Sequence, residues 1–596
     1  MTSTQANLFD FNAKAPVAPP AAPLRKRWIQ RQTHLGINDL ELERKVKQIT
    51  NNEISPLLAK LMILRGQQTP ETAQAYLHGG LGHLPDPFSM LGMASATQRI
   101  LRCLQEGKVP VISSDYDSDG ISCTATLVSF FNMIHVDVPY FSPHREKDGY
   151  GLSADMIRKM AEDGHDLLIT ADCGTSAHAE IALANSLGID VIVTDHHQPS
   201  EQLPPAYAIL NPHQDGCEFP DKNLCGVGVV FFLTIALRKL LRDLNTFSED
   251  LPEPDLRELL PFVALGTVCD VVPLVGVNRI LVQTGLYMMA NRSWPGLAAL
   301  TSVSGVKHLT AGSLGYYLGP RLNASGRLDT ANIGVQLLLA KDQTQADHLA
   351  NSLHLLNKER QEIEEKVFKK AISRIEAGEC QGRTIVLADK DFHAGVQGIC
   401  ASKIVDIFHK PTILIAIDGN KGKASGRSIK GFNLFEGLQQ CHHLLEKFGG
   451  HEYAAGLSIN IGNISTFAES FEAVAQSVLR EEDMIPKAIY DIEVPFQEIT
   501  LSLIESLERL APYGIGNPSP VFIARNVDVI NSQVLKDKHL KFTALQNGNK
   551  IEAIAFNMAD QIEELLKGPI DLLFQPGINE WKGHRTVQLD VKDYRN

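Results

Sequence analysis

Through the middle of the chain, short apolar runs rich in β-branched residues alternate with longer stretches whose apolar positions recur at helical spacing. The runs lie at 110–113, 166–170 and 190–194, and helical stretches at 154–163 and 177–187 separate them. Continuous apolar runs are typical of strands buried on both faces, and their alternation with helices predicts a doubly wound parallel sheet. We place this α/β domain at residues 46–340, after a leader at 1–45 that is rich in Ala and Pro near its start.

The pattern changes twice in the second half of the chain. Residues 341–377 contain neither Gly nor Pro, which predicts one long connecting helix in a segment bounded at 341–378. A second, smaller α/β domain follows at 379–484, with strands expected at 384–388 and 411–417. From 485 to 596, alternating runs predict a β-barrel of the OB type, with strands at 526–530, 540–545, 551–556 and 586–591 and a helix at 558–566.

Composition narrows the class of protein. The 596 residues are 44% hydrophobic, enough for several buried cores, yet no apolar run approaches the roughly 18 residues of a membrane span. The nine cysteines form no Cys-x-x-Cys pair, which argues against a structural zinc site and a disulfide framework. We therefore expect a soluble, cytoplasmic, monomeric protein. The net charge of −13 runs against nucleic-acid binding, but the local field along a groove decides that binding.

Carboxylates cluster directly after the first predicted strand. Asp115, Asp117 and Asp119 occupy alternate positions before Gly120. In an extended segment they would share one face, and Gly120 would permit a tight turn into the next helix. A helix cap followed by a solvated acidic loop is the structural alternative.

Further acids and imidazoles follow other apolar runs. Asp172 comes after the second predicted strand, Asp195-His196-His197 after the third, and Asp270 after the apolar run 260–269. Adjacent imidazoles point to different sides, so one can bind a metal while the other faces a substrate. Carboxylates and neutral imidazoles are ligands of Mg²⁺ and Mn²⁺, and phosphoester-cleaving sites place two such ions about 3.5–4 Å apart.

At these residues the chain resembles the DHH phosphoesterase superfamily. The similar segments are Asp115–Gly120, Asp172–Gly174, Asp195–His197 and Gly266–Asp270. The resemblance implies two Mn²⁺ or Mg²⁺ ions, and its implied metal ligands are Asp115, Asp117, Asp172, His196 and Asp270. It also implies a substrate-facing role for His197 and a role as ligand or support for Asp119. Ser113 stands where many members have a histidine, which leaves the exact ligand set open.

Downstream motifs narrow the resemblance to single-stranded-DNA-specific exonucleases of that superfamily, with the second α/β domain as its DHHA1 substrate-binding domain. The motifs lie at 143–151, 319–327, 392–399, 425–428 and 449–451. Guanidinium groups are planar donors suited to phosphate, and paired glycines let backbone amides approach an anion. The alternatives are surface ion pairs for the arginines and a core role for Tyr150. The candidate substrate-binding residues are Arg145, Tyr150, Arg321, Asn323, Arg327, Ser425, Arg427, Ser428, Gly449, Gly450 and His451.

The resemblance implies 5′-to-3′ hydrolysis of single-stranded DNA to 5′-mononucleotides, in DNA repair and recombination. Two other functions stay open, because smaller relatives cleave short oligonucleotides or small phosphorylated molecules and a non-enzymatic relative could only bind strands. The OB-like end favours polymeric DNA, since it mixes basic residues with an aromatic one. A charged strand edge that resists aggregation would have the same composition. The residues concerned are Lys536, Lys538, His539, Lys541, Trp581, Lys582 and Arg585.

Two protein partners are also expected. The family resemblance implies a contact with the single-strand-binding protein. In the leader, Gln5-Ala-Asn-Leu8-Phe9 resembles the short peptide with which bacterial repair proteins dock on the sliding clamp. So short a match also arises by chance, and we favour that alternative.

Overall fold

The computed structural model describes residues 25–32, 39–142, 151–328 and 331–596. The chain forms two compact units. One contains residues 74–360 with the loop 511–518; the other contains the described residues up to 73 together with 361–510 and 519–596. In the part of the chain that the structure describes, no helix is long and apolar enough to cross a bilayer.

Within the described residues, one strand and three helices precede the first large sheet. These are β1 (Arg27–Gln30), α1 (Asp39–Ile49), α2 (Pro56–Leu64) and α3 (Pro70–His78). Ser55 caps α2, because its hydroxyl accepts the Leu58 N–H at 3.3 Å, and Pro56 occupies the first helical position, where no N–H is needed.

A five-stranded, all-parallel sheet follows, in the order β3-β2-β4-β5-β6. Its strands β2 and β4 are buried along their whole length, as expected for continuous apolar runs covered by helices on both faces. The strand order reverses between β2 and β4, so the loops after these two strands lie at a topological switch point. The elements are α4 (Met93–Gln105), β2 (Val111–Ser114), α5 (Ser118–Met133), β3 (Tyr140–Phe141), α6 (Ala154–Glu162), β4 (Leu167–Ala171), α7 (His178–Ser186), β5 (Asp190–Thr194) and β6 (Ala208–Leu210).

A helical layer completes this unit. The apolar run before Asp270 forms a helix, α9, so Asp270 follows a helix rather than a strand. The loop 511–518 packs beside it, where the Leu274 N–H donates to the Ile515 carbonyl at 2.7 Å. The helices are α8 (Gly226–Asp243), α9 (Leu260–Cys269), α10 (Gly276–Asn291), α11 (Pro295–Ser304), α12 (Ala311–Ser313), α13 (Gly319–Leu328) and α14 (Asn332–Leu338), with a π-helical turn at Leu314–Leu318 before α13.

The long helix predicted from the absence of Gly and Pro is α15 (Gln343–Glu376). It leads into a five-stranded mixed sheet with the order β10-β11-β9-β8-β7, in which only β7 and β8 are parallel. The elements are β7 (Ile385–Asp389), α16 (Gln397–Phe408), β8 (Thr412–Asp418), β9 (Lys421–Arg427), α17 (Leu434–Gln440), β10 (Leu445–Gly450), β11 (Ala454–Asn460) and α18 (Ile464–Val478).

The C-terminal part is a closed barrel, because β14 pairs with both β15 and β17 while β16 pairs with β18. Strand β17 was not predicted from the sequence, because its Pro576-Gly577 pair suggests a turn. In the structure both residues continue the strand and pair with Leu589 and Gln588 of β18. The predicted fold class is confirmed. The elements are β12 (Lys487–Tyr490), which pairs with β1, then β13 (Ile492–Glu493), α19 (Leu501–Glu508), β14 (Phe522–Leu535), β15 (His539–Gln546), β16 (Asn549–Ala555), α20 (Ile562–Leu565), β17 (Ile570–Trp581) and β18 (His584–Arg595).

Candidate metal centre and substrate-binding residues

The acidic loop after β2 is a helix cap. Asp117 caps α5, since its Oδ1 accepts the N–H groups of Asp119 and Gly120 at 2.9 and 3.1 Å. The expectation that three acids share one extended face is therefore wrong, because the strand ends at Ser114 and Asp119 already lies in the helix. Gly120 is required for close packing rather than for a turn, since an added Cβ would lie 2.4 Å from the Asp115 carbonyl oxygen.

Asp119 lies buried between two helices. Its carboxylate accepts the N–H groups of Gly226 and Val227, in the first turn of α8, at 2.7 and 3.0 Å. A helix N-terminus favours an anion, yet burial and the nearby charge of Asp117 raise the pKa of Asp119 to about 7. Gly266 of α9 makes room for it, because a Cβ there would lie 2.6 Å from Oδ1.

Asp172, His196 and Asp270 converge from three different elements. His196 Nε2 lies 3.2 Å from Asp172 Oδ1 and 3.5 Å from Asp270 Oδ2. Burial, followed by the charges of Asp119 and Asp117, raises the pKa of both carboxyl groups well above the usual range. Gly226 lets α8 approach, since its Cβ would lie 2.6 Å from Asp172 Oδ1.

The two adjacent histidines have opposite environments. The side chain of His196 is 13% exposed, and burial together with the charge of His197 lowers its pKa to about 4. The side chain of His197 is 40% exposed; burial alone would lower its pKa, but the hydrogen bond and charge of Asp195 raise it. His196, which lies against the carboxylates, is therefore neutral at neutral pH, whereas Asp195 shifts the more exposed His197 toward its protonated form.

Asp195 is the first residue of the Asp-His-His motif, and the sequence pattern predicts no separate function for it. Its Oδ1 lies 2.7 Å from His197 Nδ1 and accepts the backbone N–H groups of His196 and His197. Its Oδ2 accepts the Thr175 N–H at 2.9 Å. These donors and the imidazolium outweigh burial and hold its pKa well below the usual range. Its position directly before two histidines was the only sequence signal for this role.

The donor set fits a divalent metal. Three groups each offer ligand atoms within 4.8 Å of one another, and Asp172 and His196 each belong to two of them. Among the described residues, the buried atoms His196 Nε2 and Asp270 Oδ2 have no hydrogen-bond partner. A buried cluster of carboxylates around a neutral imidazole repels itself unless cations neutralise it. The groups are Asp115 with Asp117 and Asp172, Asp172 with His196 and His197, and Asp119 with His196 and Asp270.

Ser113, which stands where many relatives have a histidine, does not join this cluster. It is buried in β2, and its hydroxyl lies 3.4 Å from the sulfur of Met156 on α6.

The predicted substrate-binding residues of α13 have intramolecular contacts. All three guanidinium nitrogens of Arg321 donate within the unit, to His354 Nδ1 and to the carbonyls of Tyr317 and Val303. Asn323 accepts hydrogen bonds from Ser118, the first residue of α5, which directly follows Asp117. Arg327 is partly buried near the end of the same helix.

In the second sheet, four of the predicted residues come together. Gly449, Gly456 and Ser425 lie opposite one another on β10, β11 and β9. Arg427 pairs with Ala454, whose carbonyl accepts the His451 N–H at 2.7 Å. A Cβ at Gly449 would meet nothing within 4 Å, so this part of the sheet is open to a ligand.

Ser428 and Gly450, next in sequence to Arg427 and Gly449, make contacts within the protein. The Ser428 hydroxyl donates to the Phe432 carbonyl at 2.7 Å. Gly450 has a φ of 145°, and an added Cβ would lie 2.4 Å from the Ala454 oxygen, so the backbone tolerates no side chain there. The remaining predictions, on Arg145 and Tyr150, lie outside the described residues, as do those on Gln5, Leu8 and Phe9.

The basic residues of the barrel lie on two hairpins. Lys536 and Lys538 follow β14, whereas Lys582 follows β17 and lies 5.8 Å over the Trp581 ring. Lys541 and Arg585 form ion pairs with Glu552 and Glu505. His539 begins β15, where its Nδ1 accepts the Asn557 N–H.

Three domain-family models match successive parts of this chain. The chain matches the model of the DHH family, N-terminal domain, at residues 110–267. It matches the DHHA1 domain at 381–477 and the RecJ OB domain at 490–593.

Individual relatives match along most of the chain. The single-stranded-DNA-specific exonuclease RecJ of Dickeya dadantii is 38% identical over 558 residues, which cover 91% of this chain and 96% of that protein. The crystal structure of Thermus thermophilus RecJ in complex with Mn²⁺ is 29% identical, has a TM-score of 0.81 and is matched over 96% of this chain and 79% of that one. The Mg²⁺ complex of the same protein is 28% identical, with a TM-score of 0.75, over 96% and 78% of the two chains. This chain, with its DHH, DHHA1 and OB domains in that order, belongs to the RecJ family.

Proposed function

We propose that this protein is a single-stranded-DNA-specific exonuclease that hydrolyses DNA from the 5′ end and releases 5′-mononucleotides during DNA repair and recombination. The observation that carries the proposal is the convergence of buried carboxylates and a neutral imidazole at the switch point of the parallel sheet. Relatives that are 36–38% identical over most of their length are named single-stranded-DNA-specific exonucleases.

The metal-binding side chains of this proposal are Asp115, Asp117, Asp172, His196 and Asp270. They offer a donor set for two Mn²⁺ or Mg²⁺ ions, and such ions supply a metal-activated hydroxide and charge stabilisation at the scissile phosphate. Asp119 supports the site instead, because both of its oxygens already accept N–H groups from α8.

His197 contacts the substrate in this proposal. Its ring is partly exposed, and Asp195 fixes the ring through Nδ1, so that in the protonated form Nε2 would donate to a phosphate oxygen. A donor whose orientation is fixed in advance stabilises negative charge that develops during phosphoester cleavage.

The open part of the second sheet would bind the 5′-phosphate. Ser425, Arg427 and His451 supply polar and cationic groups, and Gly449 leaves the backbone accessible. Each cut leaves a new 5′-phosphate on the shortened strand, so the same pocket is ready for the next step and sets the direction. Arg145, Tyr150, Arg327 and Ser428 belong to the same proposed substrate path.

The barrel extends the contact with single-stranded DNA. Trp581 is 38% exposed, Lys582 directly follows it, and Lys536 is an exposed lysine in the turn between β14 and β15. Exposed aromatic rings that stack on bases, combined with cations that track phosphates, are the usual means of binding single strands without sequence preference.

The test uses the full-length protein with Mn²⁺ and two single-stranded oligonucleotides labelled at the 3′ end, one with a 5′-phosphate and one with a 5′-hydroxyl, beside a blunt duplex. We expect a ladder that shortens from the 5′ end, forms faster with the phosphate and is absent on the duplex. Cleavage of dinucleotides but not of long strands would overturn the proposal in favour of a small-substrate enzyme. Binding without cleavage in either metal would favour a scaffold.

Two partner contacts belong to this proposal as well. A contact with the single-strand-binding protein is supported by the family alone. Docking on the sliding clamp would use Gln5, Leu8 and Phe9, and a pull-down that compares the full chain with the Leu8→Ala, Phe9→Ala double variant tests it. Equal retention of clamp by both proteins would remove the contact.

A further inference from the structure

Helix α13 lies directly against the loop that carries Asp115 and Asp117. A Cβ added at Gly326 would lie 2.4 Å from the carbonyl oxygen of Tyr116. At the start of the helix, the Gly319 carbonyl accepts the Ser118 hydroxyl at 3.2 Å. Gly326 thus allows contact with the backbone of the acidic loop itself, and the Gly319 carbonyl holds the residue that follows Asp117.

The contact centres on one side-chain oxygen. Asn323 Oδ1 accepts the backbone N–H of Ser118 at 2.7 Å and also lies 2.8 Å from its hydroxyl oxygen. Ser118 is the first residue of α5, where backbone N–H groups have no partner within the helix. The side chain of Asp117 accepts the N–H groups of Asp119 and Gly120. Asn323 supplies the acceptor for the Ser118 N–H.

We infer that Asn323 is a positioning residue for the metal centre, acting through Ser118 to fix the loop in which Asp115 and Asp117 lie. This inference rests on the metal site proposed above. Because Asp117 directly precedes Ser118, rotation of the Ser118 peptide would turn the Asp117 side chain out of its capping geometry. Groups that orient metal ligands from behind typically change metal affinity or activity by about 10- to 100-fold when removed.

The inference changes the role that the sequence pattern suggested for Asn323. A residue that binds substrate would mainly change DNA affinity and KM, whereas a residue that fixes the loop changes metal affinity and kcat. The hydrogen bonds to Ser118 commit the carbonyl oxygen of Asn323 to the loop. Only its amide NH₂ group remains to contact DNA.

The experiment measures Mn²⁺ binding to the metal-free full-length protein by calorimetry, and single-stranded DNA binding in EDTA by fluorescence anisotropy. Asn323→Ala should weaken Mn²⁺ binding by about 10-fold or more, with DNA binding in EDTA unchanged. Asn323→Asp keeps the acceptor oxygen and should restore Mn²⁺ binding. Asn351→Ala, the same substitution at an exposed position on α15, is the matched control.

Ser118→Ala keeps the bond from the backbone N–H to Asn323 and removes the hydroxyl contacts with Asn323 and with the Gly319 carbonyl. It should therefore show a smaller loss, and it tests the idea even where Asn323→Ala folds poorly. Asn323→Ala with normal Mn²⁺ affinity and weakened DNA binding would overturn the inference. So would a Ser118→Ala variant that loses more Mn²⁺ affinity than Asn323→Ala. Wild-type protein that binds no Mn²⁺ would instead remove the metal site itself.

Discussion

Asp195 and His197 form a hydrogen-bonded pair, with 2.7 Å between Oδ1 and Nδ1, while the adjacent His196 lies against Asp172 and Asp270. One motif thus supplies two imidazoles whose pKa values are shifted in opposite directions. The carboxylate beside them decides the difference, because it raises the pKa of His197 and fixes its ring.

Asp195→Asn should therefore weaken the action of His197 on the substrate. We expect the pKa of His197 to fall and the value of kcat/KM at neutral pH to drop by roughly 10- to 100-fold, with Mn²⁺ affinity changed much less. Cleavage rates and Mn²⁺ calorimetry check this, with Asp215→Asn at an exposed position as control. An equal loss of Mn²⁺ affinity would place His197 among the metal ligands instead.

Two substitutions at Asp117 separate its role as the N-cap of α5 from its proposed role as a metal ligand. Asn is as good an N-cap as Asp, so Asp117→Asn should abolish cleavage and leave stability unchanged, whereas Asp117→Ala should also cost about 1 kcal/mol. Cleavage assays and urea unfolding measure both effects, and DNA binding in EDTA should be intact in each variant. Retained cleavage by Asp117→Asn would exclude this acid from the mechanism.

The metal-free protein should lose stability as pH rises. The pKa of Asp119 is raised to about 7, from an ordinary value near 4. Between these values the folded protein binds more protons than the unfolded chain, so the free energy of unfolding decreases with increasing pH. Bound Mn²⁺ neutralises the cluster, and its effect on Tm should therefore be larger at pH about 7.5 than at pH about 5.

Thermal unfolding with EDTA and with Mn²⁺ at both pH values measures this difference. Asp119→Asn removes one of three raised pKa values, the others being those of Asp172 and Asp270, and should reduce the pH dependence of the metal-free protein. A stability that rises with pH in EDTA would contradict the assigned direction.

Gly266 should tolerate no side chain. A Cβ there would lie 2.6 Å from Asp119 Oδ1 and 2.7 Å from a methyl group of Val227. Because both neighbours are buried, we expect Gly266→Ala to destabilise the protein by about 1–3 kcal/mol and to lower Mn²⁺ affinity. Gly82→Ala, where a Cβ meets nothing within 4 Å, is the control. Unfolding and Mn²⁺ titrations that do not distinguish the two variants would refute this account.

In the barrel, salt dependence tests whether Lys536 and Lys582 contact phosphates. Their double substitution by Gln should reduce the slope of log affinity against log salt by about 1.4, at about 0.7 per single-strand phosphate contact. Lys541, which pairs with Glu552 in the structure, should contribute less when changed in the same way. Anisotropy titrations at several salt concentrations provide the slopes, and an unchanged slope would place the DNA elsewhere on the barrel.

Much of the fold follows from local pattern. The buried runs of β2, β4 and β5 are recognisable from their length, their β-branched residues and their alternation with helices, and α15 from its lack of Gly and Pro. The strand β17 is not, because the Pro576-Gly577 pair has a local preference for a turn that pairing with β18 overrides.

The sequence by itself determined which side chains end the strands of the parallel sheet, and therefore which acids and imidazoles are available for metal chemistry. Only the tertiary structure decided which role each of these side chains has. Asp117 caps a helix, Asp119 binds the N-terminus of α8, and Asn323 reaches the loop from about 200 positions away in sequence. Such contacts depend on which helices pack together, and no local periodicity encodes a hydrogen bond between residues so far apart in the chain.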